Sequence, residues 1–321
     1  MEIEREHIEK KPVRKKGVFH ELFINKTLYT MTLPAIVFFS LFAYIPMVGV
    51  YYAFTQYNFK AGLFGSPFVG LKNFEFLFSG GSSSIILRLT RNTVLYNLIF
   101  IILGNTLQLI TAIVLSELTQ KLFKRIGQSL MFLPHFVSYV MVAVLAYNLF
   151  SYEYGIINNL LKLLGKEPVN VHSMPAAWWI IIPIVYFWKT IGYGMVIYLA
   201  AIMGIDREMY EAADIDGANI IDRIWHITIP NLRATFIILL LFSLGSIMRG
   251  QFDLFYQLVG RNGLLFNATD IIDTFVYRSL TQAFDIGLGT AAGLYQSVFG
   301  MLTVLTANFI VKKLNPDYAL F

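Results

Sequence analysis

Six stretches of this chain, at 31–54, 92–116, 129–150, 178–203, 234–255 and 286–311, stay apolar for roughly the 20 residues that a helix needs to cross a hydrocarbon core about 30 Å thick. No other feature restricts the fold so strongly. Inside lipid every backbone N–H and C=O must find a protein partner, which leaves helices and closed barrels. Barrel strands alternate polar and apolar residues over about ten positions, and these runs do not. The expected fold is therefore an all-α polytopic membrane protein with six transmembrane helices. Composition agrees, since 56% of the 321 residues are apolar and only 14% charged, with a mean hydropathy of +0.61. The fifth run is the weakest, because Ser243, Gly245, Ser246 and Arg249 crowd its second half; polar positions inside a span face a cavity or another helix.

Lys and Arg near the ends of the spans set the orientation. The amino-terminal tail carries Arg5, Lys10, Lys11, Arg14, Lys15, Lys16 and Lys26, and the second loop carries Lys121, Lys124 and Arg125. Both are expected in the cytosol. Six spans then place 204–233 and the tail with Lys312 and Lys313 on the same side, and the loops 55–91, 151–177 and 250–285 on the other. The net charge of +5 follows from this bias and gives no reason to invoke nucleic acid. The first apolar run begins too late and is too long for a cleavable signal, so it reads as a retained anchor. Cysteine is absent, which removes disulfides and thiolate chemistry from this chain. The histidines, His7, His20, His135, His172 and His226, have no metal-ligand spacing, and the chain has neither a phosphate loop nor a nucleophile elbow. No catalytic or metal site is expected, and His135 reads as structural.

One polar interruption stands out within 204–233. Asp206 is placed to cap a helix through Glu211, Ala212 and Ala213, with acidic residues suiting its dipole. Two adjacent alanines let another backbone approach closely, and Glu211 offers a carboxylate to a basic partner. Asp216 and Gly217 follow, and Gly217 ends the helix where a left-handed dihedral is needed. Ile220, Ile224 and Ile227 mark one apolar stripe of a second helix, and Pro230 suits the entry to the fifth span.

The spacing from Glu211-Ala212-Ala213 to Gly217 and on to Ile227-Thr228-Ile229-Pro230 resembles the EAA signature of permease subunits in binding-protein-dependent ABC importers, with Ile229 where leucine is more usual. Tyr44-Ile45-Pro46-Met47, Ser66-Pro67-Phe68-Val69-Gly70-Leu71, Arg91-Asn92-Thr93, Leu133-Pro134-His135-Phe136, Gly155-Ile156-Ile157-Asn158, Trp188-Lys189 and Asp270-Ile271-Ile272-Asp273-Thr274 are similar to the maltose-type carbohydrate branch, and within it to permeases for oligosaccharides from complex polysaccharides. The resemblance implies a type I ABC importer permease fold in a bacterial cell membrane, with both termini cytosolic. It divides the chain into a tail (1–27), a peripheral first helix (28–55), an extracytosolic loop (56–91), a five-helix core (92–312) containing the coupling loop 204–233, and a short tail (313–321). Implied partners are a second homologous permease, two cytosolic ATPases, an extracytosolic solute-binding protein, membrane lipid and an oligosaccharide. ATP and Mg would be used by the ATPases, and no cofactor is expected on this chain. Glu211, Ala212, Ala213, Asp216, Gly217 and Pro230 would then couple it to the ATPase.

Residues along a translocation path are read from chemistry alone. Sugars bind aromatic faces with hydrogen bonds at the rim, which singles out Tyr147, Asn148, Trp188, Lys189, Tyr193, Arg249 and Asp253. A lysine within a span wants a partner; for Lys189 that is a helix carbonyl, Asp253 or a carboxylated sugar. Pro46 is expected to kink the first span, and Gly289 and Gly293 to let the sixth pack closely. Two other readings stay open: a permease for peptides, amino acids or anions, and a membrane sensor whose loop docks a partner that is not an ATPase.

Overall fold

The computed structural model describes residues 25–77 and 85–314. The basic residues from Arg5 to Lys16, together with His7 and His20, lie outside them. The chain divides into two units, Met1–Tyr51 and Tyr52–Phe321.

In the first unit, α1 (Lys26–Phe39) carries Pro34 inside it and buries none of its residues. It passes into a π-helical turn, Ser40–Tyr44, and then a 3-10 stretch, Ile45–Phe54. Pro46 sits just after the wide turn, so the expected kink takes the form of a change of helix type. A π turn makes room for a proline ring that would otherwise strike the carbonyl four residues back.

The second unit is built on α2 (Ile85–Ser116) and α6 (Pro175–Met203), two long helices that pack along each other. Between them come α3 (Lys121–Phe132), α4 (Tyr139–Phe150) and the short α5 (Ile156–Leu163). After α6 follow α7 (Arg207–Ile215), α8 (Ile220–Arg223), α9 (Ile229–Leu244), α10 (Phe252–Val259), α11 (Ile272–Thr281) and α12 (Ile286–Leu314). The core has an aromatic centre: Tyr96 of α2 stacks on Trp179 at 4.3 Å and meets Phe255 edge-on, while Phe100 stacks on Tyr186 at 3.9 Å.

Among the described residues five helices are long and apolar enough to cross a membrane, and a bent pair, Lys121–Phe136 with Tyr139–Phe150, at 98°, makes six when counted as one crossing. The third span is thus broken rather than continuous. The fifth also differs from expectation. It runs from Ile220 to Leu244, with a π turn at Ile224–Thr228, so that of the polar residues that made 234–255 look weak only Ser243 falls within it, while Gly245, Ser246 and Arg249 lie beyond its end. Pro230 lies in the first turn of α9, just after the wide turn, where its missing N–H costs little, although the helical span as a whole begins earlier, at Ile220. The same turn shifts the helical register, so Ile227 is buried while Ile220 is exposed.

A buried ionic cluster ties α2 to α11. Asp270, 1% exposed, receives both Nη atoms of Arg278 at 2.8 Å and lies 3.7 Å from Arg88. Asn92 donates to the carbonyls of Asn267 and Asp270, and Thr93 accepts the backbone N–H of Ile272. Two of the sequence blocks singled out above, Arg91-Asn92-Thr93 and Asp270 to Thr274, therefore meet here.

Candidate functional site

The loop between α6 and α9 folds as a helix, a glycine and a helix. Asp206 caps α7 by accepting the N–H of Glu208 at 3.0 Å. At its other end Gly217 has φ +78°. Its N–H reaches the carbonyl of Asp214 at 3.2 Å, and the N–H of Ala218 reaches that of Ala213 at 2.9 Å. This pair of bonds is the Schellman closure, which glycine completes without strain. Asn219 and Asp222 then form a reciprocal capping box at 3.0 and 3.2 Å, restarting the chain as α8.

The faces of α7 divide the candidate residues. Glu211, Ala212 and Asp216 are exposed, as is Ile215 at 87%. Ala213 is half-buried. Tyr210 and Asp214, one turn apart, face the chain's own α8–α9 segment: Tyr210 Oη is 3.0 Å from Thr228 Oγ1, and Asp214 pairs with Arg223 at 2.5 Å. Trp225 and Ile221 are exposed nearby. The side offered outward is therefore a carboxylate beside a small residue, flanked by apolar side chains. Arg223 and the Tyr210–Thr228 contact were not visible in the sequence; the spacing Asn219-x-x-Asp222 was the legible sign of a second cap.

The seven candidate path residues do not converge on one point. Lys189, 7% exposed, directs Nζ to the carbonyl oxygens of His135 at 2.8 Å, Pro134 at 3.4 Å and Val137, and lies 4.9 Å from the Tyr139 ring centre. These carbonyls belong to the bend of the third crossing. Of the partners expected for Lys189 the structure selects the carbonyls, because a bend at membrane depth frees acceptors that lipid cannot satisfy. Gly192, one turn on, is the close-approach point: a Cβ there would strike the backbone carbonyl of Met131. Tyr193 stacks on His135 at 4.4 Å and is itself exposed, as is Trp188. Tyr147 and Asn148 are exposed on α4, which packs on α10, where Asp253 is exposed.

Arg249 lies elsewhere, in the break between α9 and α10. An open pocket of about 560 Å³ forms there, lined among others by Ser246, Met248, Arg249, Asp273, Gln296 and Ser297. Asn97 of α2 fixes the unwound segment by donating to the carbonyls of Ile247 at 2.9 Å and Arg249 at 3.2 Å. Asp273 accepts the N–H of Gly250 at 2.8 Å and Gln296 Nε2 at 2.9 Å. Burial pushes the Asp273 carboxyl above its ordinary range, against the pull of those bonds and of Arg249. Polar groups held at a broken helix can bind a hydroxylated solute. Asp273, Gln296 and Ser297 were not among the sequence-derived candidates. On α12, Gly289 closes against Leu280 and Ser279, whereas a Cβ at Gly293 would meet nothing within 4 Å.

The chain is a multi-pass helical protein with an exposed Glu-Ala element ahead of its next-to-last span. Residues 104–316 match the family described as the binding-protein-dependent transport system inner membrane component, and the chain belongs to that family. Protein LplB of Bacillus subtilis is 35% identical over 91% of this chain and 91% of its own length. The polygalacturonan/rhamnogalacturonan transport system permease protein YteP of the same organism is 33% identical, over 96% and 94%. Among solved structures, a chain of a bacterial ABC transporter involved in the import of the acidic polysaccharide alginate superposes with a TM-score of 0.83 at 30% identity, covering 94% of this chain and 100% of that one.

Proposed function

We propose that this chain is one of two permease subunits of an ATP-driven importer of oligosaccharides, working with two cytosolic ATPases and an extracytosolic solute-binding protein. The observation that carries the reading is the α7 element: Glu211 and Ala212 are presented outward, while the opposite face is bonded to the chain's own spans. Such a helix moves as a rigid body with the spans it is bonded to. Closure of the ATPases on bound ATP and Mg would displace it and open the path to the other side. The termini and the 204–233 loop lie in the cytosol in this reading, in keeping with the Lys and Arg of the second loop.

The cargo class rests on the relatives, whose names include polygalacturonan/rhamnogalacturonan transport and a structure concerned with alginate. Arg249 supports an acidic sugar over a neutral one. Its guanidinium lines the pocket at the helix break and, beyond its electrostatic pull on Asp273, makes no hydrogen bond or ion pair among the described residues. A planar fork of donors suits a carboxylate. The test is uptake into proteoliposomes by the purified permease–ATPase complex with its solute-binding protein, comparing oligogalacturonate with malto-oligosaccharide. ATP-dependent uptake of oligogalacturonate, reduced by Arg249→Gln, is the expected result; uptake of neither sugar, or a chain that co-purifies with no ATPase, removes the reading.

A further inference from the structure

Arg223 stands where three parts of the fold meet. It ends α8, and its two terminal nitrogens reach in different directions: Nη1 to Asp214 of α7 at 2.5 Å, and Nη2 to Glu117, just past the end of α2, at 3.3 Å. Arg223 and Glu117 are mostly buried, with side chains 21% and 23% exposed. The π turn that follows brings Thr228, five residues on, back toward α7, where Tyr210 meets it. The coupling helix is thus joined to its own segment at two points. Among the described residues its charged link onward to α2 runs through one guanidinium.

We propose that Arg223 is the positioning residue that passes displacement of the coupling helix to the second span. This rests on the importer reading above. The fifth span continues directly from the segment bonded to α7 and packs on α2 and α6 through apolar side chains, which fix no charged register. The Glu117 contact adds a directional hold on α2, which packs along α6 and, through Asn97 and Asn92, holds the pocket segment and the Asp270 cluster. A planar fork can hold two carboxylates at once; a lysine ammonium, as a single point charge, does this poorly.

The absence of cysteine from this chain allows clean labelling in the assembled complex, its other subunits freed of reactive thiols. An environment-sensitive fluorophore is placed either at Glu208→Cys on α7 or at Leu118→Cys beside the end of α2, and ATP–vanadate trapping is followed. In the otherwise native chain both labels should respond. With Arg223→Gln the α7 label should still respond and the α2 label should lose its response; Arg223→Lys should restore part of it. Oligogalacturonate taken up per ATP hydrolysed should fall roughly fivefold or more, the lower range for coupling between two sites. An α2 label that still responds fully in Arg223→Gln overturns the proposal, as does failure of that variant to bind the ATPases, which would make Arg223 a docking residue. If the α7 label is silent in the native chain, it is the importer reading that fails.

Discussion

The ammonium of Lys189 lies 2.8 Å from the carbonyl oxygen of His135, joining the middle of α6 to the bend of the third crossing. A charge that looked available to an acidic cargo instead completes the backbone of a broken helix. Replacing it by methionine keeps the length and strands the acceptors at 134, 135 and 137. Buried unsatisfied groups cost about 1–3 kcal/mol each, so Lys189→Met should lower the thermal midpoint in detergent by several degrees or prevent accumulation in the membrane. Cargo preference among the molecules that do fold should not change.

Gly192 makes a second prediction at the same junction. Its added Cβ would meet backbone, which cannot rotate away, and overpacking of this kind costs about 1–3 kcal/mol. Gly192→Ala should therefore destabilise the purified chain, while Gly293→Ala, where the space is open, should leave its midpoint within a degree or so. Thermal unfolding of the two variants side by side decides it.

At Gly217 the penalty is conformational, since nothing lies within 4 Å of the added Cβ and φ is +78°. Gly217→Ala should cost on the order of 1 kcal/mol. Gly217→Pro, whose ring holds φ near −65°, should displace α7 altogether. With Glu211→Lys, which reverses an exposed charge, it should give complexes that reach the membrane but neither transport nor raise ATP hydrolysis when substrate is supplied. Normal uptake by both would remove the coupling role.

The Asp273 carboxyl is raised by burial, so the folded chain holds its proton more tightly than the unfolded one. Its contribution to stability is then greatest below the ordinary value of 3.8 and declines as pH rises through the folded value. Asp273→Asn can still accept from Gly250 and should flatten that dependence. Unfolding midpoints of the two chains across the acid range should converge at low pH and separate in favour of the variant as pH rises.

Much of the architecture was legible because membrane helices announce themselves by length and apolarity, and α7 because Asp206 and Gly217 mark its two ends. The register of the fifth span was not. Residues 220–233 are too polar to score as a crossing, yet the helix starts there. The apolar residues after Gly250 belong to α10, and hydropathy cannot tell a continuing helix from a new one. The partner of Lys189 stayed open among a helix carbonyl, Asp253 and a carboxylated sugar, because no side-chain pattern reveals which carbonyls a bend leaves free. Glu117 and Arg223 lie 106 residues apart, and nothing in either segment points to the other.

The bend at 98° has a dimensional consequence. Beyond it, Tyr139–Phe150 has 12 residues, about 18 Å of helix at roughly 1.5 Å per residue, against a hydrocarbon layer about 30 Å deep. This part of the chain can insulate little more than half the bilayer. The rest of the wall comes from what surrounds it: the preceding helix across the bend, thinned lipid, or a neighbouring subunit. On this flank the oily barrier facing a polar cargo is correspondingly short.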